Sequence, residues 1–203
     1  MGNELIEKYA FEAVDLIRKK EVSSSELLEA SRDRHIEVDE QVNALPHTFY
    51  DKALTKAKNI NIDNEIQNEK SLLGLPIAVK DYNDVAGVPT TFGSKLFSNN
   101  IPSKSDSTIA RLEQNGALPV AKSNVPEWAG GHTFNPVYGV TKNPFNKNKI
   151  AGGSSGGSSV ALATKQVWLA TGNDLGGSLR TPASFNNIVG LRPSIGVVPR
   201  GLR

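Results

Sequence analysis

Two Gly-Gly-Ser sequences constrain this chain more than any other feature. The first is Gly152-Gly153-Ser154, the second is Gly176-Gly177-Ser178, and an apolar run lies between them. Glycine weakens the interior of helices and strands, but it permits backbone angles with φ > 0 and a close approach of the backbone to another group. Both sequences therefore predict a sharp bend that ends in a serine hydroxyl.

A serine hydroxyl at such a bend is a candidate catalytic group, but the first bend can also be interpreted in other ways. GGSSGGSS could be a flexible linker, although linkers are rarely followed directly by an apolar helix and strand. It could also hold a phosphate, but neither G-x-x-x-x-G-K-[ST] nor G-x-G-x-x-G after a strand is present. Because a helix that begins behind Ser155 would still favour an anion, a nucleotide or phosphate binder remains an alternative of another class.

Two similar apolar segments predict buried strands. Residues 74–80 (GLPIAVK) and 117–123 (ALPVAKS) share the order apolar, proline, apolar, lysine. We expect helices over residues 107–114 and from 155 to about 165, and a further strand over residues 167–171. Strands that alternate with helices in this way predict an α/β sheet.

The N-terminal region is predicted to be helical. Apolar residues from Leu5 to Ile17 recur at helical spacing, and Ser23 precedes Glu26 by the three residues of a capping box. A third helix is expected over residues 51–60, followed by a polar loop over residues 61–70. The sequence thus predicts a helical region over residues 1–70 that packs on an α/β core over residues 71–203.

Composition and charge exclude several function classes. The 23 basic and 21 acidic residues are nearly balanced and form no basic stripe, so no nucleic-acid partner is expected. The absence of cysteine excludes disulfides and thiolate chemistry, and with only 3 histidines we expect neither a metal nor a cofactor. Because the N-terminus does not resemble a signal peptide and no long apolar run occurs, we expect a cytoplasmic protein that does not bind membranes.

A serine nucleophile needs a base that accepts its proton. His35 and His47 are expected at the surface, whereas His132 lies next to two glycines. Lys80 and Lys122 each lie near the end of a predicted strand, where burial would lower the pKa and leave a neutral amine. A lysine that extends its ammonium group to solvent is the alternative. The residue pattern alone therefore leaves one histidine and two lysines as candidates.

Four sequence blocks in order resemble the amidase signature family. They are GLPIAVKD, GGSSGGSS, GNDLGGSLRTPAS and GLRPSIGVVPRGL, which together span residues 74–202. The resemblance implies an α/β fold with a mixed β-sheet covered by helices, and a serine amidohydrolase with a Ser-Ser-Lys triad. Family members continue past the last block, so residues 1–203 are expected to form a single but incomplete amidase domain that lacks its C-terminal part.

The resemblance also assigns roles to residues by their positions in the motifs. It implies Ser178 as the nucleophile, Ser154 as a bridging serine and Lys80 as the base. It further implies that the Gly153–Ser154 peptide bond is cis. The backbone N–H groups implied to form an oxyanion hole are those of Leu175, Gly176 and Gly177.

Three further residues are expected to support the site. Asp174 and Arg180 look like the structural ion pair of the family, and the hydroxyl of Ser155 is expected to cap the helix that follows it. The chain departs from the family pattern at Asn173, where threonine or serine is usual.

The sequence therefore predicts hydrolysis of a small-molecule amide through an acyl-enzyme. One alternative is the glutaminase subunit of a tRNA-dependent amidotransferase, although that subunit is expected to have Met-Asp-Glu-Phe where Val125-Pro126-Glu127-Trp128 stands. Another is an inactive, truncated binding module. A homodimer or a complementing C-terminal chain is the expected protein partner.

Overall fold

The computed structural model describes residues 2–60, 62–69 and 71–198. Residues 61 and 70 of the predicted polar loop, and residues 199–202 of the fourth sequence block, lie outside this range.

Five helices form the N-terminal region of the described chain. They are α1 (Gly2–Leu5), α2 (Ala10–Arg18), α3 (Ser24–Val42), α4 (Tyr50–Lys58) and α5 (Ile62–Glu65). The capping box is confirmed, because the Ser23 side chain accepts from the Glu26 N–H and the Glu26 carboxylate accepts from the Ser23 N–H. The single helix predicted from Leu5 to Ile17 is wrong, since α2 begins only after Tyr9 and its own cap. The prediction of an entirely irregular loop is also wrong, because α5 lies within it.

The main sheet contains four strands in the order β1-β3-β2-β6. The six strands of the described chain are β1 (His47–Thr48), β2 (Pro76–Lys80), β3 (Leu118–Ser123), β4 (Phe134–Asn135), β5 (Gly139–Val140) and β6 (Leu169–Ala170). Strand β2 is parallel to β3 and to β6, whereas β1 is antiparallel to β3, so the sheet is mixed as expected. Strands β4 and β5 form a separate antiparallel pair.

Helices cover both faces of this sheet. The remaining helices are α6 (Ser107–Gln114), α7 (Gly156–Ala163) and α8 (Arg180–Phe185), with 3-10 turns at Lys95–Phe97 and Glu127–Ala129. On one face, Ala78 and Ala121 share a core with residues of α3, α4 and α7. On the other face, Ile77 and Val79 pack with Ile109 of α6. The N-terminal helices therefore share a hydrophobic core with the sheet.

Helix α7 approaches the end of β3 closely. A Cβ atom at Gly157 would lie 2.2 Å from the backbone nitrogen of Asn124, and one at Gly156 would lie 2.1 Å from the Thr133 hydroxyl oxygen. Glycine is required at both positions because any side chain would push the helix off the sheet. The second half of GGSSGGSS thus brings the start of α7 against the strand ends where the site lies.

Candidate active site

Lys80, the last residue of β2, forms the centre of the candidate site. Its side chain is completely buried, and its Nζ donates hydrogen bonds to Ser154 Oγ at 2.7 Å and to Ser155 Oγ at 2.9 Å. A third hydrogen bond runs from Nζ to the side-chain oxygen of Asn173. All three acceptors are uncharged, and burial lowers the pKa of Lys80 to about 7, while the more distant Asp174 opposes this shift. A substantial fraction of this amine is therefore neutral near pH 7. The neutral amine has two N–H groups and one lone pair, so in that form it donates to two of these groups and can accept from a serine hydroxyl.

The first bend places Ser154 beside this amine. The Gly153–Ser154 bond is cis, as the family resemblance predicts, and Gly152 has a φ of 79°. A Cβ atom at Gly153 would lie 2.2 Å from the carbonyl oxygen of Gly131, so the bend has no room for a side chain. The Gly152 carbonyl accepts from the N–H and the hydroxyl of Thr133. Packing on every side therefore fixes the position of the Ser154 hydroxyl.

The second bend carries Ser178 between β6 and α8. Ser178 is half-buried, and its carbonyl accepts a 3.1 Å hydrogen bond from the N–H of Ser155. Within the described chain, the Ser178 hydroxyl forms no hydrogen bond to Ser154 or to any other residue. The structure thus brings Lys80 and Ser154 into direct contact and joins the two bends through the backbone, but it does not join the two serine hydroxyls.

The three backbone groups predicted to form an oxyanion hole are not equivalent. The N–H of Gly177 donates to a carboxylate oxygen of Asp174 at 2.7 Å, so the prediction that it is a free donor is wrong in this structure. The N–H groups of Leu175 and Gly176 have no acceptor within the described residues. Leu175 is 93% exposed and a Cβ atom at Gly176 would meet nothing within 4 Å, so this stretch is open to a reactant.

Asp174 holds the second bend together. Only 1% of its side chain is exposed, and its carboxylate accepts from the N–H groups of Gly177, Leu179 and Arg180. The Arg180 guanidinium donates two further hydrogen bonds at 3.0 and 3.1 Å, which is the ion pair that the resemblance implies. These hydrogen bonds hold the pKa of Asp174 well below its usual range. The carboxylate therefore stays ionised and stabilises the turn.

Two neighbours of the site differ from expectation. Ser155 stands at the N-cap position of α7, but its side chain makes no capping hydrogen bond, so the predicted role is wrong; the hydroxyl accepts from Lys80 instead. The contact between Asn173 and Lys80 was not predicted from the sequence. The sequence signal that could have indicated this contact is the position of Asn173 in GNDLGGS, where the family usually has a hydroxyl-bearing residue.

None of the other candidate bases forms a hydrogen bond with Ser154 or Ser178 within the described residues. His132 is exposed and has no hydrogen bond to either serine within the described chain. Lys122 is buried, and its Nζ lies 3.4 Å from Asp81. His35 and His47 are half-buried rather than at the surface, because the His35 ring forms a hydrogen bond with Gln166 and His47 belongs to β1. Lys80 is thus the candidate that the structure brings to Ser154.

The described residues contain no metal-binding cluster and no membrane-spanning helix. No group of three or more histidine, aspartate or glutamate side chains converges on one point in this part of the chain. None of its helices combines the length and the apolar character needed to cross a bilayer.

An apolar groove of about 680 Å³ lies beside the site. It runs between the N-terminal segment, helix α7 and the segment after α8. The following apolar residues of the groove and of the adjoining segments are exposed: Leu169, Leu175, Val189, Leu191, Ile195 and Val197.

A family model and the sequences of known proteins indicate the same family for this chain. The family model described as Amidase matches residues 26–201. The chain is 40% identical over 202 residues to the A subunit of the glutamyl-tRNA(Gln) amidotransferase from Corynebacterium glutamicum strain R, which is 98% of this chain and 40% of the relative. The corresponding protein of Thermoanaerobacter pseudethanolicus is 38% identical, over 92% of this chain and 38% of its own length. The chain thus spans about two fifths of the length of these relatives.

Solved structures agree with this result. A bacterial aryl acylamidase of the amidase signature family superposes with a TM-score of 0.88 at 34% identity, over 97% of this chain and 41% of the other. The glutamyl-tRNA(Gln) amidotransferase A subunit of Thermotoga maritima gives a TM-score of 0.78 at 26% identity, over 97% of this chain and 40% of the other.

Proposed function

Because this chain belongs to the amidase family, we propose that it hydrolyses carboxamides, with Ser178 as the nucleophile, Ser154 as the bridging serine and Lys80 as the base. The observation that carries this proposal is the contact between the hydroxyl of Ser154 and a buried lysine whose hydrogen-bond partners include no carboxylate. A lysine with an ordinary pKa is protonated near pH 7 and cannot accept a proton. Burial at the end of β2 supplies the neutral amine that the chemistry needs.

The proposed reaction proceeds in two halves. Ser178 Oγ attacks the amide carbon while its proton passes to Ser154 Oγ, and the Ser154 proton passes to Lys80 Nζ. The N–H groups of Leu175 and Gly176 stabilise the negative oxygen that forms. The tetrahedral intermediate then releases an amine, which takes the proton from Lys80 through Ser154. Water repeats the sequence on the acyl-enzyme and releases the acid.

The transfer requires a hydrogen bond between Ser178 and Ser154 that this structure does not contain. Ser178 Oγ has no competing partner within the described chain, so a rotation of its side chain costs no hydrogen bond. The carbonyl of Ser178 already accepts from the N–H of Ser155, which keeps the two bends together. We therefore expect substrate binding to complete the contact.

The alternative is the glutaminase subunit of a tRNA-dependent amidotransferase. It is favoured by the names of the relatives from Corynebacterium and Thermoanaerobacter. The stand-alone reading is favoured by the sequence Val125-Pro126-Glu127-Trp128 and by the higher TM-score and identity of the aryl acylamidase structure relative to the Thermotoga amidotransferase structure. Hydrolysis of a simple amide is the function that we place first.

We also propose that a complementing C-terminal chain covers the apolar groove. Strand β6 lies at the edge of the sheet, and Leu175 and Val189 near it are each 93% exposed. Exposed apolar surface of this extent beside an edge strand favours association with a further polypeptide. The matched region is about two fifths of the length of these relatives, so each of them contains a further stretch of chain, which we propose as the equivalent of this partner. A homodimer through the same surface, or an inactive binding module, is the competing interpretation.

Residues 1–203 then act as one unit, with the helical region over residues 1–70 supporting the segment over residues 71–203 that carries the site. We propose a small-molecule amide as substrate and the cytoplasm as the location, and we expect no direct binding of nucleic acid. Analytical ultracentrifugation of the chain, alone and with a complementing C-terminal chain, distinguishes a homodimer from a heterodimer.

Covalent labelling tests the nucleophile. A serine-directed fluorophosphonate is added to the chain, with and without a complementing C-terminal chain, and the labelled peptide is identified by mass spectrometry. We expect modification at Ser178 that the Ser178→Ala variant loses. The exposed Ser184 in α8 supplies the control, because Ser184→Ala is expected to keep the label. Label that persists in Ser178→Ala would refute the assignment.

Product analysis then separates the candidate functions. Release of benzoate from benzamide supports the stand-alone amidase, whereas release of ammonia from glutamine alone supports the amidotransferase reading. If the complemented chain turns over neither compound and takes no label, the proposal of an enzyme is wrong and the binding module is favoured.

A further inference from the structure

Lys80 contacts one partner that, unlike the two serines, is exposed. Ser154 and Ser155 are 1% and 2% exposed, whereas Asn173 lies at the surface of the described chain. The segment that carries Asn173 is fixed to the end of β2, because the hydroxyl of Thr171 accepts from the N–H of Lys80 at 3.0 Å and the N–H of Thr171 donates to a carbonyl of β2. The amide oxygen of Asn173 therefore contacts the buried amine from the side of the surface.

The three partners of the Lys80 amine cannot all accept from it when it is neutral. A neutral amine carries two hydrogens and one lone pair, so one of the three partners has to donate to it. The side-chain oxygen of Asn173 carries no hydrogen and therefore only accepts. The lone pair is thus left to the hydroxyl of Ser154 or to that of Ser155.

The backbone carbonyl of Asn173 distinguishes the two serines. The Ser155 hydroxyl donates a long hydrogen bond of 3.5 Å to this carbonyl. The Ser154 hydroxyl has Lys80 as its only hydrogen-bond partner among the described residues. Ser155 can therefore give its hydrogen to Asn173 and accept from the amine, whereas Ser154 can give its hydrogen only to the amine. This arrangement leaves the lone pair to Ser154, the serine proposed to relay the proton.

We propose that Asn173 is a positioning residue of this site: its two carbonyl oxygens accept the hydrogens of Lys80 and Ser155, which leaves the lone pair of the amine to Ser154. This inference rests on the proposed role of Lys80 as the base. A general base acts only when it lies within hydrogen-bond reach of the proton that it accepts, with its lone pair directed there. A hydroxyl group in place of the amide oxygen can donate to the same lone pair and compete with Ser154, whereas an amide oxygen cannot.

The charged groups near Lys80 stay the same when Asn173 is replaced. Asp174 favours the charged form of Lys80, and the ring of Tyr82 lies 5.9 Å from its Nζ. Helix α7 and strand β6, which pack on β2, carry no charged residue. Strand β3 carries Lys122, which has a carboxylate of its own at 3.4 Å. Variants at position 173 can therefore be compared directly with the parent.

The rate of acylation by the fluorophosphonate, measured against pH in the complemented chain, tests this role. Asn173→Leu keeps the approximate size of the side chain but removes the acceptor, so the amine is neutral but no longer oriented. We expect the rate on the high-pH plateau to fall roughly five- to tenfold, the effect of losing one hydrogen bond, with no rise in the pH midpoint. Asn148→Leu, at an exposed position, is the matched control and should keep the parental profile.

Asn173→Asp makes the opposite change. It keeps an acceptor but adds a negative charge, and the new carboxylate stays ionised because position 173 is exposed. A carboxylate beside the amine favours the ammonium form, so the pH midpoint of acylation should rise by about one unit or more. Above that midpoint the rate should return close to the parental plateau, because the carboxylate still accepts from the amine.

Several results would overturn the proposal. A parental plateau in a folded Asn173→Leu variant does so, and so does a faster one, which would mean that the amide group competes for the lone pair. An unshifted midpoint in Asn173→Asp overturns it as well. If circular dichroism shows that Asn173→Leu is unfolded, Asn173→Ala replaces it with the same expectation.

A double variant separates this inference from the proposed function. Because Asn173 is proposed to act through the amine, Asn173→Leu should cause no further loss in the Lys80→Ala background. Losses that multiply would show an independent structural role and overturn the proposal. Near-parental acylation in Lys80→Ala refutes the proposed base, and this inference with it. A loss in Lys80→Ala together with a parental profile in Asn173→Leu refutes the positioning role alone.

Discussion

The two Gly-Gly-Ser bends have the same sequence but opposite environments. In the first bend, Ser154 is 1% exposed and a side chain at Gly153 would collide with the backbone of Gly131. In the second, Leu175 is 93% exposed, and a Cβ atom at Gly176 would meet nothing within 4 Å. The first bend is thus packed against neighbouring backbone, whereas the second is open at Leu175 and Gly176.

This difference separates two uses of glycine. The first bend needs glycine because neighbouring backbone occupies the space of a side chain. The second bend has space at Gly176, but Gly177 has a φ of 116° and a Cβ atom there would lie 2.9 Å from the Thr181 hydroxyl oxygen. The hydrogen bonds of Asp174 also fix the shape of this bend. An active site needs both features: catalytic groups held rigidly in place, and open access for the reactant. Four predictions test this comparison, and they follow in order of decreasing effect.

The largest effect, on the rate of acylation, is expected when Lys80, which contacts Ser154 of the first bend, is replaced. Replacement of Lys80 by Ala should lower the rate of acylation by the fluorophosphonate roughly 10²- to 10⁴-fold, the usual contribution of a general base. Stopped-flow or quenched labelling of the complemented chain measures this rate. The exposed Lys104 is the control, and Lys104→Ala should keep the parental rate. Near-parental acylation in Lys80→Ala would show that another group, with His132 the next to test, accepts the proton.

The buried lysine should also reduce stability in a pH-dependent way. The unfolded chain keeps the Lys80 proton up to a pH of about 10.4, whereas the folded chain releases it above about 7. Between these values the unfolded state binds more protons, so the free energy of unfolding of the parent rises with pH relative to Lys80→Met. We expect this difference to change by roughly 4 kcal/mol from pH 7 to pH 10. Urea denaturation at several pH values measures it, and a pH-independent difference contradicts the neutral amine.

A third substitution sharpens the contrast between packed and open glycines. Gly153→Ala should lower the free energy of unfolding by about 3 kcal/mol, because the new methyl group meets fixed backbone. Gly130→Ala is the matched control in the adjoining loop, where the nearest atom to a Cβ would lie 3.5 Å away, and it should change stability little. Thermal or urea denaturation compares the two variants. Equal stabilities would show that the first bend is not closely packed.

The smallest effect is expected at Ser155. Its hydroxyl accepts one of the hydrogen bonds of Lys80, but Ser154 and Asn173 accept the others. Ser155→Ala should therefore reduce acylation only several-fold, corresponding to about 1 kcal/mol, whereas Ser154→Ala should approach the loss of Lys80→Ala. The ratio of the two labelling rates is the measurement. Equal losses would give Ser155 the role proposed for Ser154.

Much of the fold was predictable because local signals and tertiary structure agree. The capping box at Ser23 and helix α6 depend on nearby residues, and strands β2 and β3 depend on short apolar runs. The site was less predictable. Residue patterns left Lys80 and Lys122 equivalent, and the family resemblance rather than the strand texture distinguished them. Asn173 was recognised only as a departure from a pattern, because its contact with Lys80 spans 93 residues.

The sequence by itself determined where the chain bends and which hydroxyls and amines lie close to strand ends. Glycine, capping residues and apolar periodicity act over a few residues, so their effects can be inferred locally. Only the tertiary structure decided that Gly177 binds Asp174, that Ser155 contacts Lys80 rather than capping α7, and that Lys122 holds Asp81. Each of these depends on which polar groups share a desolvated space, and residues distant in sequence create that space when they pack.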